Sequence, residues 1–512
     1  MSFPGRCASV GLGAPERAGW ISSDWHFSAL IAAAAVYYLF LLSNGTFQLF
    51  APEMLDKAFD NMLVHLLHGE VTVDREAIDF EAFTHDGKTY AYFGVFPALL
   101  RLPALPFVDV AQVPLARLSC LTAVVFYYVA VQLRMLVIVH RSVPPQNRLH
   151  NVLGIMMAAT VLSGPQLYIL GSASIYHEPV LWSAAIAATF NLVLVHAAIG
   201  GGALRVRDLV WLAILAGLAI NTRASIGVAL YLGTTLLVTW AAWKRRAVGC
   251  SEQLSTACAR GTPTAIRTMA SDPSIGLPVA ILLLFAIAVG AVNFARWGNP
   301  FTFVDFRYYY WGLRQANFLG ILQNYGEINP GRMWIGALYY ATGIPYLLKG
   351  LHPFAELLNS RIAAIEAPPL SPFFTNPLTI FLGGIGVYHL WWRPSLPPQN
   401  LAVLRLALVA HSSAALLILA AMYLTMRYRF DFAPFMTMAA LIGYRAISFT
   451  AAERPESWRK RLRIAAVGLC MLGILGSHYV LLIHKVWSIA VPMPVRLALL
   501  PFAPFARAAF EP

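Results

Sequence analysis

The sequence predicts an all-α membrane protein with about eleven transmembrane helices, in a range of about 10 to 13. Of its 512 residues 58% are hydrophobic and 12% are charged, and the mean hydropathy is +0.63. A soluble chain is nearer half apolar and a quarter charged. The net charge of +13 is expected where cytoplasmic loops collect Lys and Arg, so it does not predict nucleic-acid binding.

Apolar runs long enough to cross a bilayer recur along the chain, since a spanning helix needs about 20 such residues. They lie near 26–45, 112–139, 152–171, 178–199, 208–222, 225–243, 277–295, 374–392, 401–423, 432–449 and 463–483. Arg and Lys gather in alternate gaps, which predicts a cytoplasmic N-terminal segment 1–25, a basic cytoplasmic loop 244–276 and an extracytoplasmic tail 484–512.

Two gaps on the predicted extracytoplasmic side are long. They cover 46–106, within an N-terminal membrane module 26–243, and 296–372, within a C-terminal module 277–483. Their many prolines and aromatic residues predict ordered structure close to the membrane. In the second loop the apolar stretch 333–348 is short and interrupted, so it predicts an interfacial or re-entrant helix.

The first loop opens with an amphipathic segment from Ala51 to Gly69 that predicts a helix, with Pro52 in its first turn. Glu53, Asp56 and Asp60 recur along one face. Like charges at this spacing destabilise a helix slightly, so the presence of this row of carboxylates needs an explanation. A solvated polar face is one explanation, and a catalytic base at the membrane surface is the other.

The same loop continues with a predicted hairpin. Thr84 to Tyr90 turns through Asp-Gly, a pair that favours a tight turn between two strands. Packing is the simpler interpretation of the aromatic residues that follow, and Tyr92 is kept as a candidate substrate contact.

A short predicted outer turn from Ser174 to Pro179 places His177 and Glu178 at the membrane boundary, on the same side as Asp60. A lone histidine is usually structural. A His–Glu pair at the end of a span is a candidate for catalysis, because ionisable residues beside spans are costly and often functional.

Several arginines on the outer side run against the positive-inside trend. They could anchor lipid headgroups, or they could bind an anionic, phosphate-bearing ligand through their guanidinium groups. The candidates are Arg223, Arg296, Arg307, Arg427 and Arg429.

Other classes of function find no support in the sequence. There is no glycine-rich phosphate loop ending in Lys-Ser/Thr and no zinc-protease spacing. The predicted spans lack the buried ionic relay of secondary transporters. None of the five cysteines lies in a predicted outer loop, so no disulfide is expected.

The segments described above, taken in order, resemble the GT-C class of integral-membrane glycosyltransferases, which use polyprenyl-phosphate sugars as donors. The resemblance rests on Phe59 to Gly69, Asp86 to Leu100, Tyr176 to Pro179, Gly217 to Arg223, Asn293 to Phe301 and Arg427 to Pro434. It implies a helical bundle in the inner membrane of a bacterium, with a crevice between the outer loops that faces the periplasm. The acceptor would be a glycan, a lipid or a protein.

The resemblance also implies that an aspartate of the first loop is the catalytic base. Asp60 matches that position, and Asp56 is the alternative because the chain lacks an Asp-X-Asp pair there. The class includes metal-dependent and metal-free enzymes; no bound metal is predicted here, although a divalent metal would be compatible with the class.

We therefore expect Asp60 to deprotonate an acceptor hydroxyl, which displaces the polyprenyl phosphate with inversion. Arg223, Arg296, Arg427 and Arg429, with His177 as a further donor, would stabilise charge on the leaving phosphate. Glu178 would orient His177 or bind a sugar hydroxyl. Two other functions stay open: a flippase or transporter of lipid-linked glycans, and a non-catalytic subunit of an envelope-assembly complex.

Overall fold

The computed structural model describes residues 25–201, 204–260, 273–315, 317–366, 370–394, 396–487 and 493–499. The predictions made for residues 1–24, 261–272 and 500–512 lie outside this part of the chain.

The regular secondary structure of the described chain is almost entirely helical. Its α-helices are α1 Trp25–Leu42, α2 Ala58–Leu67, α3 Arg75–Ile78, α4 Phe96–Leu99, α5 Ala116–Thr122, α6 Ala130–Arg141, α7 His150–Leu162, α8 Pro165–Ile169, α9 His177–Ala198, α10 Val206–Ile220, α11 Ala224–Arg260, α12 Pro273–Trp297, α13 Phe318–Tyr325, α14 Met333–Thr342, α15 Ile344–Leu348, α16 Phe354–Arg361, α17 Pro372–Thr375, α18 Pro377–Trp392, α19 Pro398–Leu419, α20 Ala433–Ala452, α21 Glu456–Trp487 and α22 Met493–Leu499. Its strands are β1 Phe83–His85, β2 Lys88–Tyr90, β3 Ala364–Ile365 and β4 Tyr423–Leu424. A π-helical turn, Ala123–Val129, joins α5 to α6.

Eight helical segments of the described chain are long and apolar enough to cross a membrane. They are Ala116–Arg141, His150–Ile169, His177–Ala198, Ala224–Arg245, Ile275–Trp297, Pro398–Leu419, Met426–Ala451 and Glu456–Val486. Each coincides with a predicted run. The three remaining predicted runs coincide with α1, α10 and α18, which have 18, 15 and 16 residues. The all-helical, multi-pass fold is confirmed, and the count of eleven spans stays a prediction.

The membrane helices share one large apolar core. Within it α18 and α20 pack closely because Gly386 and Gly443 face each other's backbones: a side-chain carbon on Gly386 would overlap the carbonyl of Ala439, and one on Gly443 that of Leu382. Small residues allow such close approach between helices in membranes.

The first loop differs from its prediction at one end. Its helix α2 starts at Ala58 rather than near Pro52, so the prediction of Pro52 in the first turn was wrong. Leu55 has a φ of 57°, which is incompatible with a continuous right-handed helix. The Asp56 carboxylate accepts a hydrogen bond from the Glu53 N–H at 2.7 Å and fixes a turn instead. Gly69, with a φ of 78°, ends the helix as predicted.

The predicted hairpin is confirmed. Strands β1 and β2 are antiparallel, with Thr84 opposite Thr89. The turn residues Asp86 and Gly87 have φ values of 50° and 73°, the left-handed conformation that an Asp-Gly turn adopts readily.

The second loop packs against the first. The Phe83 ring of β1 stacks on Tyr309 with 4.9 Å between centroids, and the Tyr310 N–H donates to the Ala82 carbonyl at 3.0 Å. Its apolar stretch forms two short helices, α14 and α15, separated at Gly343, whose φ is 76°. The stretch is therefore interrupted as its sequence indicates, and its interfacial or re-entrant position stays a prediction.

Candidate active site

Arg101 joins the first loop to the start of α9. Its Nε binds an oxygen of Asp60, and its two terminal nitrogens bind both oxygens of Glu178 at 2.5 and 2.9 Å. All three side chains are buried, with exposed fractions of 2% or less. Burial lowers the pKa of Arg101, but Glu178 and Asp60 outweigh it, so the net direction is upward and the cation is retained.

Further contacts complete this Asp60–Arg101–Glu178 cluster. Ser119 donates to Glu178 at 2.5 Å and accepts from the Trp182 indole at 2.8 Å. The second oxygen of Asp60 accepts from the Leu115 N–H at 3.3 Å. Buried charges need this degree of pairing, because an unpaired one is strongly destabilising.

The row of carboxylates predicted on one helix face is divided among different partners. Glu53 binds Arg117 at 2.7 Å, Asp56 binds the Glu53 backbone, and Asp60 binds Arg101. Burial raises the pKa of Asp56. The three carboxylates therefore fix the loop in place, and they do not form a solvated polar face.

His177 and Glu178 have different neighbours from each other. Glu178 contacts Arg101, whereas the His177 ring lies 2.7 Å from the Ser172 carbonyl. No described hydrogen bond joins Glu178 to His177, and both roles expected for Glu178, orienting His177 or binding a sugar hydroxyl, stay predictions. Consecutive residues at the start of a helix point in directions about 100° apart.

A cavity of about 550 Å³ lies between the two loops and the bundle, and we call it cavity 1. Its charged lining comes from distant parts of the chain: Arg223, Arg296, Glu327 and Arg427. Tyr92, a predicted substrate contact, also lines this cavity. The described lining does not include Asp56, Asp60, His177 or Glu178.

Arg223 sits in the short turn between α10 and α11, as predicted. Its guanidinium lies 4.7 Å from the centre of the Tyr428 ring. The guanidinium also binds the carboxylate of Asp431. Asp431 lies at the end of the segment that carries Arg427. Gly94 makes this arrangement possible, because a side-chain carbon there would overlap the Asn221 carbonyl.

Arg427 reaches cavity 1 from the segment before α20. It binds Glu366 at 3.0 Å and lies over the Tyr176 ring, 4.6 Å from its centre. Tyr176 in turn donates to Glu81 at 2.6 Å. Aromatic and carboxylate contacts fix this guanidinium on two sides.

Arg296, near the end of α12, is the least neutralised of the three cations. One terminal nitrogen donates to the Phe93 carbonyl at 2.8 Å and the other lies 4.0 Å from the sulfur of Met62. No carboxylate of the described chain pairs with it, its Nε has no hydrogen-bond partner there, and its exposed fraction is 2%. It therefore carries an unmatched positive charge on the cavity wall.

Arg429 and Arg307 lie elsewhere. Arg429 lines a second cavity of about 410 Å³, cavity 2, beside Tyr168 and Gln166; it donates to the Leu370 carbonyl, and two of its nitrogens have no described partner. Arg307 pairs with Asp305 at 2.6 Å and is 72% exposed. The five predicted arginines therefore do not converge on one point.

An apolar groove adjoins cavity 1 along α11 and α12. The two share the lining residues Ile220, Val228, Val289, Phe301 and Phe303. The groove has a volume of about 880 Å³, and α12 is the least buried of the membrane-spanning segments described. A long hydrocarbon chain fits these surroundings.

Sequence reasoning missed several residues that build this region. Arg101, Asp431 and Glu366 are the partners of predicted residues, and Glu327 is a charged part of the cavity wall. Arg101 stands among the outer-side arginines in the sequence and could have been found by that criterion. Glu366 lies far from its partner along the chain and no local pattern marks it, whereas Asp431 lies within the segment Arg427 to Pro434 that carries the resemblance.

A divalent metal does not suit the Asp60 region as it is arranged. Arg101 occupies the position between Asp60 and Glu178 where a cation would bind. Among the described residues no three His, Cys, Asp or Glu side chains group together as metal ligands.

Comparisons with known proteins find likeness at the level of structure. No family model matches the sequence, and no curated protein matches it. An archaeal oligosaccharyltransferase, AglB from Archaeoglobus fulgidus, in complex with an inhibitory peptide and a dolichol-phosphate, has a TM-score of 0.46 at 13% identity; the match covers 91% of this chain and 58% of that one. ArnT from Cupriavidus metallidurans bound to undecaprenyl phosphate has a TM-score of 0.42 at 13% identity, covering 94% and 71%.

The chain spans less than two thirds of the length of AglB.

Proposed function

We propose that this protein is a glycosyltransferase that moves a sugar from a polyprenyl-phosphate donor to an acceptor hydroxyl at the extracytoplasmic face of a bacterial inner membrane. The observation that carries the proposal is that cavity 1, with its arginine-lined wall, adjoins the apolar groove. Guanidinium groups bind phosphate well, and a groove on a lipid-facing helix suits a long hydrocarbon tail. A lipid with a phosphate-linked sugar has both parts.

Arg296 is the main phosphate contact in this proposal. Arg223 and Arg427 already bind Asp431 and Glu366. Their positive charges are therefore matched, and their contribution to phosphate binding is mainly that of hydrogen-bond donors in fixed positions. Arg296 has a free Nε and no carboxylate partner in the described chain. Fixed donors in a site of low dielectric stabilise charge that builds on a departing phosphate.

The cavity's volume suits one sugar and an acceptor group, since small-molecule sites are commonly about 300–1,000 Å³. The acceptor hydroxyl would attack the anomeric carbon opposite the phosphate, which gives inversion. Tyr92 would contact the sugar. The catalytic roles expected for Asp60, Asp56, Glu178 and His177, and the phosphate contacts expected for Arg307 and Arg429, stay predictions.

The test uses purified protein in detergent with radiolabelled polyprenyl-phosphate sugars and a panel of glycan, lipid and peptide acceptors. The proposal expects a new glycosidic bond of inverted configuration and release of polyprenyl phosphate. Vesicle-reconstituted protein that moves the donor lipid between leaflets without forming a bond would instead indicate a flippase. A protein with neither activity would point to a non-catalytic subunit.

A further inference from the structure

Cavity 2 lies outside the proposed reaction site and has a buried cation of its own. Helices α8, α14 and α17 and the start of α20 contribute to its wall, and its volume is about 410 Å³. Among its described lining residues Arg429 is the one charged side chain. Arg429 lies near the start of Met426–Ala451, a segment long and apolar enough to cross a membrane. The cation is therefore placed near the depth of lipid headgroups.

The positive charge of Arg429 is unmatched in the described chain. Its exposed fraction is 9%, and one terminal nitrogen donates to the Leu370 carbonyl. Its Nε and its other terminal nitrogen have no described hydrogen-bond partner, and neither has the hydroxyl of Tyr340 on the same cavity wall. Buried donors are normally satisfied, and an unpaired buried charge is strongly destabilising. These groups together therefore predict a ligand that carries negative charge.

The rest of the wall limits the chemistry of that ligand. The described lining includes no aspartate, no glutamate and no second cation, so it matches a single negative charge and offers no partner to an ammonium group. Phe373, which is 57% exposed, and the exposed Ala337 also line the cavity, so it opens at the surface of the helix bundle. A membrane lipid can place its headgroup there while its acyl chains stay in the bilayer.

We propose that cavity 2 binds the headgroup of an anionic glycerophospholipid of the phosphatidylglycerol type, with its phosphate on Arg429 and Tyr340. Guanidinium groups bind phosphate oxygens through paired N–H···O bonds, and basic pockets between membrane helices bind phospholipid headgroups. Asn376 and Thr437 on the same wall offer amide and hydroxyl partners to the glycerol hydroxyls. The inference does not depend on the proposed glycosyl transfer.

The bound lipid also fixes the wall between the two cavities. The 3₁₀-helical segment Met426–Phe432 places Arg427 on cavity 1 and Arg429 on cavity 2. Tyr340 packs against Phe432 at the end of this segment, with 5.4 Å between ring centroids. A phosphate that binds both Arg429 and Tyr340 therefore joins α14 to the segment that positions Arg427.

The experiment measures lipid binding by the purified, delipidated full chain in detergent. Phosphatidylglycerol, phosphatidylethanolamine with the same acyl chains and inorganic phosphate are each titrated while thermal unfolding is followed, and bound lipid is counted by native mass spectrometry. We expect saturable stabilisation and one bound lipid with phosphatidylglycerol, and little effect of the other two. The ethanolamine lipid has the same phosphodiester, so it isolates the effect of an ammonium group.

Two pairs of variants locate the site. Arg429→Gln should raise the Kd for phosphatidylglycerol about 10- to 100-fold, because hydrogen bonds from a charged group are lost, whereas Arg307→Gln, at a side chain 72% exposed, should bind as wild type does. Ala337→Trp should block the mouth of cavity 2. Its control is Leu338→Trp, since Leu338 is 41% exposed on the same helix and does not line the cavity. The second pair keeps Arg429 in place, so it tests the site even where Arg429→Gln fails to fold.

Undecaprenyl phosphate separates cavity 2 from the proposed donor site, because saturating amounts of it should leave phosphatidylglycerol bound. Four results would overturn the inference: an unchanged Kd in Arg429→Gln, equal binding by Ala337→Trp and Leu338→Trp, equal stabilisation by phosphatidylethanolamine or inorganic phosphate, or displacement of phosphatidylglycerol by undecaprenyl phosphate. Each can be observed whether or not a glycosidic bond is formed, so failure of this inference and failure of the proposed function are distinguishable.

Discussion

The guanidinium of Arg223 binds the carboxylate of Asp431 through two hydrogen bonds, of 3.2 and 2.7 Å, across 208 positions of the chain. Ser225 also donates to this carboxylate. The contact joins the α10–α11 turn to the segment before α20 that carries Arg427. The shape of cavity 1 therefore depends on packing between segments that are distant in the sequence.

Replacing Asp431 by Asn should destabilise the protein and widen cavity 1. Removing one partner of a buried ion pair costs about 3–5 kcal/mol because the other charge is left unpaired. Thermal unfolding in detergent should show a clear fall in Tm, together with weaker donor binding. Asp86→Asn is the control, since that side chain is 86% exposed and its turn accepts asparagine; an equal Tm in both variants would contradict the prediction.

Replacing Arg101 by Gln should be more damaging than any change at Asp60 or Glu178 alone. The substitution leaves two buried carboxylates without their shared cation, at a cost of about 3–5 kcal/mol. Thermal unfolding of Arg101→Gln measures it, with Arg307→Gln as the exposed control. The triple variant Arg101→Met, Asp60→Asn, Glu178→Gln should recover much of the loss, and failure to recover would argue against charge pairing as the cause.

Replacing Arg296 by Gln should weaken donor binding and lower stability less than Arg101→Gln does. A hydrogen bond to a charged group contributes about 1.5–3 kcal/mol, so the Kd for undecaprenyl phosphate should rise about 10- to 100-fold. Because Arg296 has no carboxylate partner in the described chain, its loss leaves no opposite charge stranded. Arg307→Gln should bind the lipid as wild type does; equal Kd values for the two variants would remove Arg296 from the phosphate site.

Replacing Val289 by Trp should block the passage between the groove and cavity 1. Val289 lines both, so a larger side chain would exclude a long lipid tail and leave room for a short one. The expected result is a raised KM for a long polyprenyl donor and little change for a short-chain analogue. Leu284→Trp is the control on the same helix, because Leu284 is 64% exposed and does not line the groove; similar effects of both variants would contradict the assignment.

Replacing Glu327 by Gln should stabilise the protein in alkaline buffer. The pKa of this carboxyl is raised in the folded state from 4.5 to about 7, so folding favours its protonated form. The resulting stability is present at acid pH and is lost as the pH rises from about 4.5 through about 7. Unfolding in denaturant at pH 5 and pH 8 should show this loss in wild type and not in Glu327→Gln; the same pH dependence in both would contradict it.

Much of the fold could be predicted because it depends on local signals. The eight long apolar helices, the Asp-Gly hairpin and the break at Gly343 follow from hydrophobic length and from residues that allow a positive φ. The start of α2 could not be predicted, because the turn at Asp56 competes with the helix that Pro52 would begin.

The candidate site could be predicted in part. The arginines were recognisable because charge beside a membrane span is costly and needs a reason. Their partners were not, since Asp431 and Glu366 lie far from Arg223 and Arg427 in the sequence. Which carboxylate faces the cavity and which is enclosed in an ion pair depends on packing between loops.

The sequence by itself determined that this chain is a many-helix membrane protein with two ordered loops on one side, because hydrophobic run length and turn chemistry act over a few residues. Only the tertiary structure decided that Arg101 encloses Asp60 and Glu178, and that Arg296 and Glu327 face an open cavity. Charge pairing and burial are set by contacts between distant segments, and no local pattern encodes them.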